Sequence, residues 1–280
     1  VRITGGSGRI ELIPWLNADV YNEDANYDEK FWENESSSID GQRAAVVAQT
    51  RKTAFVVATA MENIFTLNGK PAKGAREITT TDRTAHCKFT SAYADGDTFT
   101  VTKYAAVLSS FNHPVDGLAG KAMAAAGEAA AKGFDAMLAD HSGAWVKKWE
   151  HGDIVIKGDI AAQQGIRFNI FQLNQTYTGE DPRLNIGPKG FTGEKYGGST
   201  YWDTEAFAFP FYLSTADTHV ARNLLIYRYK HLQKAIENAK KLGFTNGAAL
   251  YPMVTMNGEE CHNEWEITFE EIHRNGAIAF

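Results

Sequence analysis

The sequence has little of what would tie a protein to the cell exterior, to a membrane or to nucleic acid. Its 280 residues include two cysteines, Cys87 and Cys261, which are too few for a disulfide framework, so a reducing compartment is expected. No run of about 18 apolar residues occurs, which excludes a membrane-spanning helix. The formal net charge is -6. A basic face for nucleic acid or for an acidic membrane is therefore not expected, whereas a local phosphate pocket is compatible with this charge.

The length and composition are those of a globular protein with one large or two ordinary domains. Hydrophobic residues make up 44% of the sequence and charged residues 22%. The sequence begins at Val1 in a strand-like run and stops at Phe280 within a helical pattern. Because natural domains usually end in polar, loosely held segments, we interpret the chain as an internal fragment of a longer protein.

The first 112 residues have the pattern of β structure. Strands are predicted at 45–48, 55–58, 85–89 and 99–102, where β-branched and apolar residues cluster between polar turns. The pair Asp95-Gly96 lies between the last two strands and is a hairpin signal. The segment 16–27, rich in Asn and Asp, is predicted to be a loop. Many short strands with short turns favour a β-sandwich over a βαβ fold.

The rest of the chain has a helical pattern. One helix is predicted over 117–150, because residues 122–131 are nearly all alanine, and it is interpreted as a linker. Another is predicted from about 160, with one apolar face, and another over 220–242, ending at a glycine cap, Gly243. A last helix is predicted to begin near Glu270. Consecutive helices joined by long loops suggest an α/α toroid whose loops build a site at one end. The apolar positions used for these helices are Ile166, Ile170 and Leu173, then Leu225, Leu232, Ile236 and Ala239.

The densest candidate for chemistry is the segment 189–205. Four glycines allow close approach of the backbone to a ligand. Tyr196, Tyr201 and Trp202 offer flat apolar faces on which the C–H face of a pyranose can pack. Asp203, when ionised, only accepts hydrogen bonds and suits two adjacent sugar hydroxyls. The alternative is that Trp202 is a core residue and Asp203 caps the next helix. The glycines match neither the Walker pattern nor a dinucleotide fingerprint, which argues against nucleotide binding.

A second candidate is the acidic segment 257–271. His262, Asn263 and Glu264 supply donors and acceptors of different reach, which a polyol ligand could use. The alternative is a solvated acidic loop, since glutamates are usually exposed. A metal site involving Cys261, His262, Glu264 or Glu266 is not expected, because their spacing matches no standard zinc motif.

These segments resemble glycoside hydrolase family 65, and the resemblance covers the whole chain. It is carried by Gln172-Leu173-Asn174-Gln175, by Asn185 to Gly190, by Tyr196 to Glu205, and by Ala249-Leu250-Tyr251-Pro252-Met253 through Ile267. The Trp202-Asp203-Thr204-Glu205 block is its most specific part. The His262-Asn263-Glu264 loop resembles the branch of the family that acts on maltose.

The resemblance implies a β-sandwich, a helical linker and the opening part of an (α/α)6 barrel. The corresponding boundaries are 1–114 for the partial sandwich, 115–152 for the linker and 153–280 for the partial barrel. Trp202 and Asp203 would hold the transferred glucose, and His262, Asn263 and Glu264 would line the side of the leaving sugar. Tyr196 is also expected to bind the substrate. The family's general acid belongs to a Gly-Pro-Asn-Glu-like motif that these 280 residues lack. The catalytic acid and the phosphate ligands are therefore expected downstream of residue 280, and the fragment alone is expected to be inactive.

The implied activity is inverting phosphorolysis of maltose to β-D-glucose 1-phosphate and D-glucose. Inorganic phosphate is then a co-substrate, and no metal or organic cofactor is expected. The alternatives are a family member acting on trehalose, kojibiose or nigerose, and a noncatalytic carbohydrate-binding module. The resemblance also implies a cytoplasmic enzyme, with a homodimer as one form of the parent protein and no nucleic-acid or membrane partner.

Overall fold

A computed structural model describes residues 1–21, 30–188, 190, 199–262 and 266–280. The described residues fall into two compact units, one ending at Ser142 and the other running from Gly143 to Phe280. Among these residues, no helix combines the length and the apolarity that crossing a bilayer requires.

The first unit contains two antiparallel sheets, as the strand pattern predicts. In one sheet β8 is central: β1 and β2 pair with it in succession, and β7 also pairs with it. In the other sheet β5 is central, flanked by β4 and β9, with β3 beyond β4 and β6 at one end of β5. The strands are β1 Gly8–Leu12, β2 Trp15–Asn17, β3 Trp32–Asp40, β4 Arg43–Thr50, β5 Val56–Leu67, β6 Lys70–Pro71, β7 Ala75–Thr80, β8 Thr84–Tyr93 and β9 Phe99–Ser109.

A single apolar core joins the two sheets and confirms the sandwich-like arrangement. Phe65 from β5 stacks on Phe89 from β8, with ring centroids 4.3 Å apart. Met61 and Cys87 are buried in the same cluster, and burial raises the pKa of the Cys87 thiol. Leu16 also belongs to this core. The prediction that 16–27 is a loop is therefore wrong at its start, where Leu16 lies in β2. The expectation for residues 22–27 lies outside the described residues.

The turn at Asp95-Gly96 forms, but the hairpin predicted from it is wrong. β8 ends at Tyr93 and pairs with strands of the first sheet, whereas β9 begins at Phe99 and pairs with β5. Gly96 adopts φ +84°, which glycine permits. The turn thus carries the chain from one sheet to the other. The apolar residues of β8 and of β9 then reach the same core from its two sides.

The predicted helix over 117–150 is two helices, α1 Leu118–Lys132 and α2 Phe134–Gly152, separated at Gly133 with φ +81°. The alanines of α1 do more than favour helix. Ala122 and Ala126 pack against the buried Ala45, Ala58 and Ala60 of the second sheet. Small side chains on both surfaces bring this helix close to the sheet, and α1 covers the face that points away from the sandwich core.

The second unit is helical. Its elements are α3 Ile160–Thr176, a π-helical turn at Thr204–Ala208, α4 Phe209–Thr215, α5 Thr218–Lys230, α6 Leu232–Lys241, α7 Ile267–Glu270 and α8 Arg274–Ala279. The predicted helix 220–242 is interrupted at His231. Its predicted stripe is also one residue out of phase in α5, since Leu224 is buried and Leu225 is 46% exposed. The predicted cap is confirmed: Gly243 has φ +84°, and Phe244 N–H donates to the carbonyl of Ala239, as in a Schellman motif.

Candidate functional site

The two segments singled out in the sequence meet in the structure. Thr200 and Thr255 form an isolated antiparallel bridge, with backbone N···O distances of 2.8 and 3.0 Å in the two directions. Both residues are buried. The bridge joins residues 199–205, named here the Trp-Asp segment, to residues 251–262, named here the His262 loop.

The side chains of the Trp-Asp segment differ in their burial. Thr204 is buried, and its hydroxyl donates to the carbonyl oxygen of Ile186 and to Asn185 Oδ1. Glu205 is buried in an ion pair with Arg228. Trp202 and Asp203 are half-buried. Thr204 and Glu205 thus fix the backbone, whereas Trp202 and Asp203 remain partly accessible.

A π-helical turn follows Asp203 directly. It is closed by the backbone N–H of Phe209, which donates to the carbonyl of Thr204 five residues earlier. Such wide turns are frequent at functional sites. Asp203 occupies the N-cap position, but its side chain makes no capping hydrogen bond, which argues against the helix-cap interpretation. Its carboxylate therefore does not serve to cap this turn.

A cavity of about 350 Å³ lies beside Asp203. Its lining comes from α3, from the loop that follows α3, and from the π-helical turn; the residues are Asn169, Gln172, Leu173, Ile186, Gly187, Pro188, Gly190, Asp203, Thr204, Phe207 and Ala208. This volume is in the range of small-molecule sites, and an apolar wall with a few convergent polar groups is typical of them. Among the described residues, the lining includes Asp203 but not Trp202.

The Trp202 ring lies next to this cavity rather than in its wall. Its centroid is 6.0 Å from that of Phe207, a lining residue, and 5.3 Å from that of His273, which meets it edge-on. The indole is half-buried, so it is neither sealed in a core nor fully solvated. The core interpretation of Trp202 therefore does not describe its position.

The His262 loop is organised by an inward-turned carboxylate. Glu260 accepts hydrogen bonds from the backbone N–H groups of Met253 (2.6 Å), Val254 (3.1 Å) and His262 (3.3 Å). It is therefore not a freely solvated acid of the kind that the acidic-loop alternative supposed. His262 is half-buried at the end of this loop. Tyr196, Asn263 and Glu264, which are also predicted to bind the substrate, lie outside the described residues.

α5 holds the same loop from the other side. The Tyr227 hydroxyl donates to the carbonyl of Met256 at 2.9 Å, and burial raises the pKa of Tyr227. The His231 ring packs edge-on to Tyr227, with centroids 4.5 Å apart. Burial, aided by the nearby cationic groups of Arg228, Lys234 and Lys230, lowers the pKa of His231 to about 4. The ring is therefore neutral at pH 7.

Gly258 is expected to be required for this packing. Its φ is +93°, and a Cβ there would lie 2.9 Å from Cγ of His231. Gly258→Ala is therefore expected to lower the free energy of unfolding by about 2–4 kcal/mol, from strain and overpacking together. Gly247→Ala is the matched control, since Gly247 has φ +78° and open space around it. It should cost about 1–2 kcal/mol. Thermal denaturation of both variants measures the difference, and equal losses would show that the His231 contact does not constrain the loop.

Several residues at the site were missed by reasoning from the sequence. Asn169 and Gln172 line the cavity from α3, and only Gln172 belonged to a motif used for the family resemblance. Arg228 carried no local signal, because its partner Glu205 lies 23 residues away in the chain. The one usable signal is indirect: a glutamate near a core, such as Glu205, needs a cationic partner somewhere in the chain.

Family models match nearly the whole chain. The model of the glycosyl hydrolase family 65 N-terminal domain matches residues 1–148, and that of the family 65 central catalytic domain matches residues 167–280. The chain therefore belongs to glycoside hydrolase family 65.

Relatives and a solved structure agree with this assignment. The chain is 44% identical to maltose phosphorylase of Bacillus subtilis strain 168 over 98% of its length and 36% of the relative. It is 30% identical to an alpha,alpha-trehalose phosphorylase of Thermoanaerobacter brockii, over 98% of the chain and 36% of the relative. A solved structure described as a candidate kojibiose phosphorylase from the human microbiome has a TM-score of 0.78 and 24% identity, covering 91% of this chain and 32% of that one. The fold is thus shared, and the chain spans about a third of the length of these proteins.

Proposed function

We propose that this chain is part of an inverting disaccharide phosphorylase that converts maltose and phosphate to β-D-glucose 1-phosphate and D-glucose. The observation that carries the proposal is the uncapped carboxylate of Asp203 beside a cavity of about 350 Å³, within the residues that match the family's catalytic-domain model. The 44% identity to a maltose phosphorylase favours maltose among the disaccharides.

The proposed reaction exchanges one C–O bond for another. A phosphate oxygen attacks the anomeric carbon, the glycosidic bond breaks, and a general acid gives its proton to the departing sugar oxygen. Because phosphate is already anionic, the enzyme needs no base to activate a water, unlike an inverting hydrolase. Inorganic phosphate is the co-substrate, and the proposal requires no further cofactor or metal. The general acid and the phosphate ligands are expected to come from sequence downstream of these 280 residues.

In this proposal Asp203 and Trp202 bind the glucose that is transferred. Asp203 accepts hydrogen bonds from adjacent hydroxyls and stabilises the oxocarbenium-like charge that develops at the anomeric carbon. The half-buried indole of Trp202 and the ring of Tyr196 supply apolar faces for the sugar. His262, Asn263 and Glu264 contact the leaving glucose. The bridge between Thr200 and Thr255 supports this division, because it places the two segments side by side.

We also propose that the helices from residue 153 onward form the opening part of an (α/α)6 barrel, after a sandwich domain (1–114) and a linker (115–152). Large apolar side chains on these helices lack cover among the described residues. Phe207 is 68% exposed and Leu213 is 59% exposed. Isolated exposed apolar residues are ordinary, but several on successive helices indicate a surface that further helices cover. A longer parent chain would supply those helices.

The full-length protein containing this chain is proposed to be a cytoplasmic homodimer without nucleic-acid or membrane partners. The composition supports this environment, with only two cysteines, of which Cys87 is buried, and a net charge of -6. Two of the matched relatives are named as phosphorylases of the disaccharides maltose and trehalose.

The activity is tested by supplying the full-length protein with phosphate and, separately, maltose, trehalose, kojibiose or nigerose. Formation of β-D-glucose 1-phosphate from maltose at a rate at least about tenfold above the other three is expected, corresponding to about 1.4 kcal/mol of discrimination. Omitting phosphate is the control and should abolish release of glucose. The same family includes relatives named for trehalose and kojibiose. Faster turnover of one of those sugars would reassign the substrate, and binding without turnover of any would favour a noncatalytic module.

A further inference from the structure

One buried guanidinium holds the backbone on both sides of Trp202 and Asp203. Arg228 Nε donates to Glu205 Oε1 at 2.6 Å, and Nη2 donates to Glu205 Oε2 at 3.0 Å. The same Nη2 donates to the carbonyl oxygen of Tyr201 at 2.9 Å. Tyr201 and Glu205 are the residues that flank the Trp-Asp-Thr stretch, so a single side chain fixes both its ends.

The ion pair between Arg228 and Glu205 is buried, with each side chain 4% exposed. A buried pair is a poor device for stability, since the desolvation of two charges offsets most of their attraction. Moreover, Nη1 of Arg228 is buried and has no hydrogen-bond partner among the residues that the structure describes. A buried cationic donor without a partner destabilises the folded state. The pair therefore contributes more to the position of the backbone than to stability. The planar fork of arginine fixes direction as well as distance.

The helix that carries Arg228 also contacts the second candidate segment. Tyr227, the preceding residue, binds the carbonyl of Met256, and its hydroxyl also lies 3.4 Å from Thr200 Oγ1. His231, one turn later, packs on Gly258. The end of α5 therefore touches the Trp-Asp segment through Arg228 and the His262 loop through its neighbours.

We propose that Arg228 is a positioning residue for sugar binding, which sets the place of Trp202 and Asp203 through Glu205 and the Tyr201 carbonyl. The proposal rests on the proposed function, because it assigns Trp202 and Asp203 to the glucose. Arg228 is not among the residues that line the cavity, and in this assignment it does not bind the sugar. Its effect on catalysis is transmitted by the backbone of residues 201–205.

The first test is Arg228→Lys in the full-length protein. A lysine keeps the charge but cannot bind both carboxylate oxygens and the carbonyl with fixed directions. We expect about tenfold weaker binding of glucose by calorimetry and about 100-fold lower kcat/KM for maltose phosphorolysis, since displacement of a binding group by about 1 Å has effects of this size. Both kcat and KM should change. A merely structural role would alter the fraction of folded enzyme and leave KM and glucose affinity as they are.

The second test separates geometry from stability. The double variant Glu205→Leu with Arg228→Met removes both charges and leaves neither group buried alone, a change that is often neutral for stability. Its melting temperature is expected to stay within a few degrees of that of the wild type, while its glucose affinity falls at least about tenfold. Recovery of wild-type affinity and turnover in this variant would overturn the proposal. If the double variant does not fold, the result for Arg228→Lys decides.

Arg167→Lys is the matched control. Arg167 makes a similar two-bond pair with Asp153, at 2.9 and 2.6 Å, but both partners are more exposed and the pair lies outside the Trp-Asp segment. Its glucose affinity and kcat/KM should remain within about twofold of wild type. Equal losses in Arg167→Lys and Arg228→Lys would refute a specific role for Arg228.

The two proposals fail in different ways. A wild-type protein that binds glucose but phosphorolyses no disaccharide would contradict the proposed activity, and the affinities of the variants would still decide the role of Arg228. A wild-type protein that binds no glucose would contradict both.

Discussion

Asp203→Asn is expected to lower kcat/KM for maltose phosphorolysis by about 1,000-fold in the full-length protein. The amide has the size of the carboxylate but lacks its charge, and it turns one acceptor into a donor. The proposed role of Asp203 is to stabilise positive charge that develops in the transition state. Removing one preorganised electrostatic group from an active site typically lowers the rate by 100- to 1,000-fold. Steady-state kinetics with varied maltose and saturating phosphate measure the effect.

The fold should tolerate this change, because Asp203 is half-buried and makes no capping hydrogen bond. Asp217→Asn is the matched control. Asp217 also precedes a helix, α5, without a side-chain capping bond, and it is exposed. Its kinetics should stay within about twofold of wild type. Unchanged turnover in Asp203→Asn would remove the central residue of the proposed site.

Trp202→Ala is expected to lower kcat/KM for maltose by at least about 100-fold. An aromatic ring under a sugar contributes contact area and fixes the orientation of the sugar. Its removal therefore weakens the binding of the transition state as well as that of the substrate. Because the indole is half-buried and lies beside the rings of Phe207 and His273, the melting temperature should change by only a few degrees.

Trp202→Phe separates the aromatic face from the mere volume of the side chain. Phenylalanine keeps part of the face, and we expect a loss of about tenfold rather than 100-fold. Normal turnover in Trp202→Ala, with the fold intact, would show that the sugar is held elsewhere along the cavity. The lining residues Asn169 and Gln172 of α3 would then be the next to examine.

Local patterns in the sequence predicted much of the secondary structure. The runs at 45–48 and 85–89 lie inside β4 and β8, and Gly243 ends α6 with a positive φ. These features depend on a few consecutive residues, through side-chain alternation or through a conformation that glycine adopts readily. The pair Asn68-Gly69 is likewise a local turn signal, and the structure has a turn there between β5 and β6. Its φ values of +50° and +77° are those of a tight hairpin turn.

The pairing of strands and the phase of the apolar stripe on a helix were less predictable. The Asp95-Gly96 turn is predicted correctly from the sequence. The strand that pairs with β9 is β5, whose residues lie 30 or more positions earlier, so no local pattern specifies this pairing. Likewise, the periodicity of residues 220–242 did not distinguish Leu224 from Leu225, or reveal the interruption at His231. Neighbouring elements decide which side of a helix is covered, and a short window contains no information about them.

The sequence by itself determined the order of sheets and helices and the family resemblance, and it led to the prediction that Trp202 and Asp203 bind a sugar. Only the tertiary structure decided that the Trp-Asp segment and the His262 loop meet at Thr200 and Thr255. It also decided that Glu205 is neutralised by Arg228. The physical reason is that hydrogen bonds and ion pairs between residues 23 to 55 positions apart depend on how the chain folds back. Residue type and local spacing specify which groups are available, whereas the packing of α5 specifies which of them come within bonding distance.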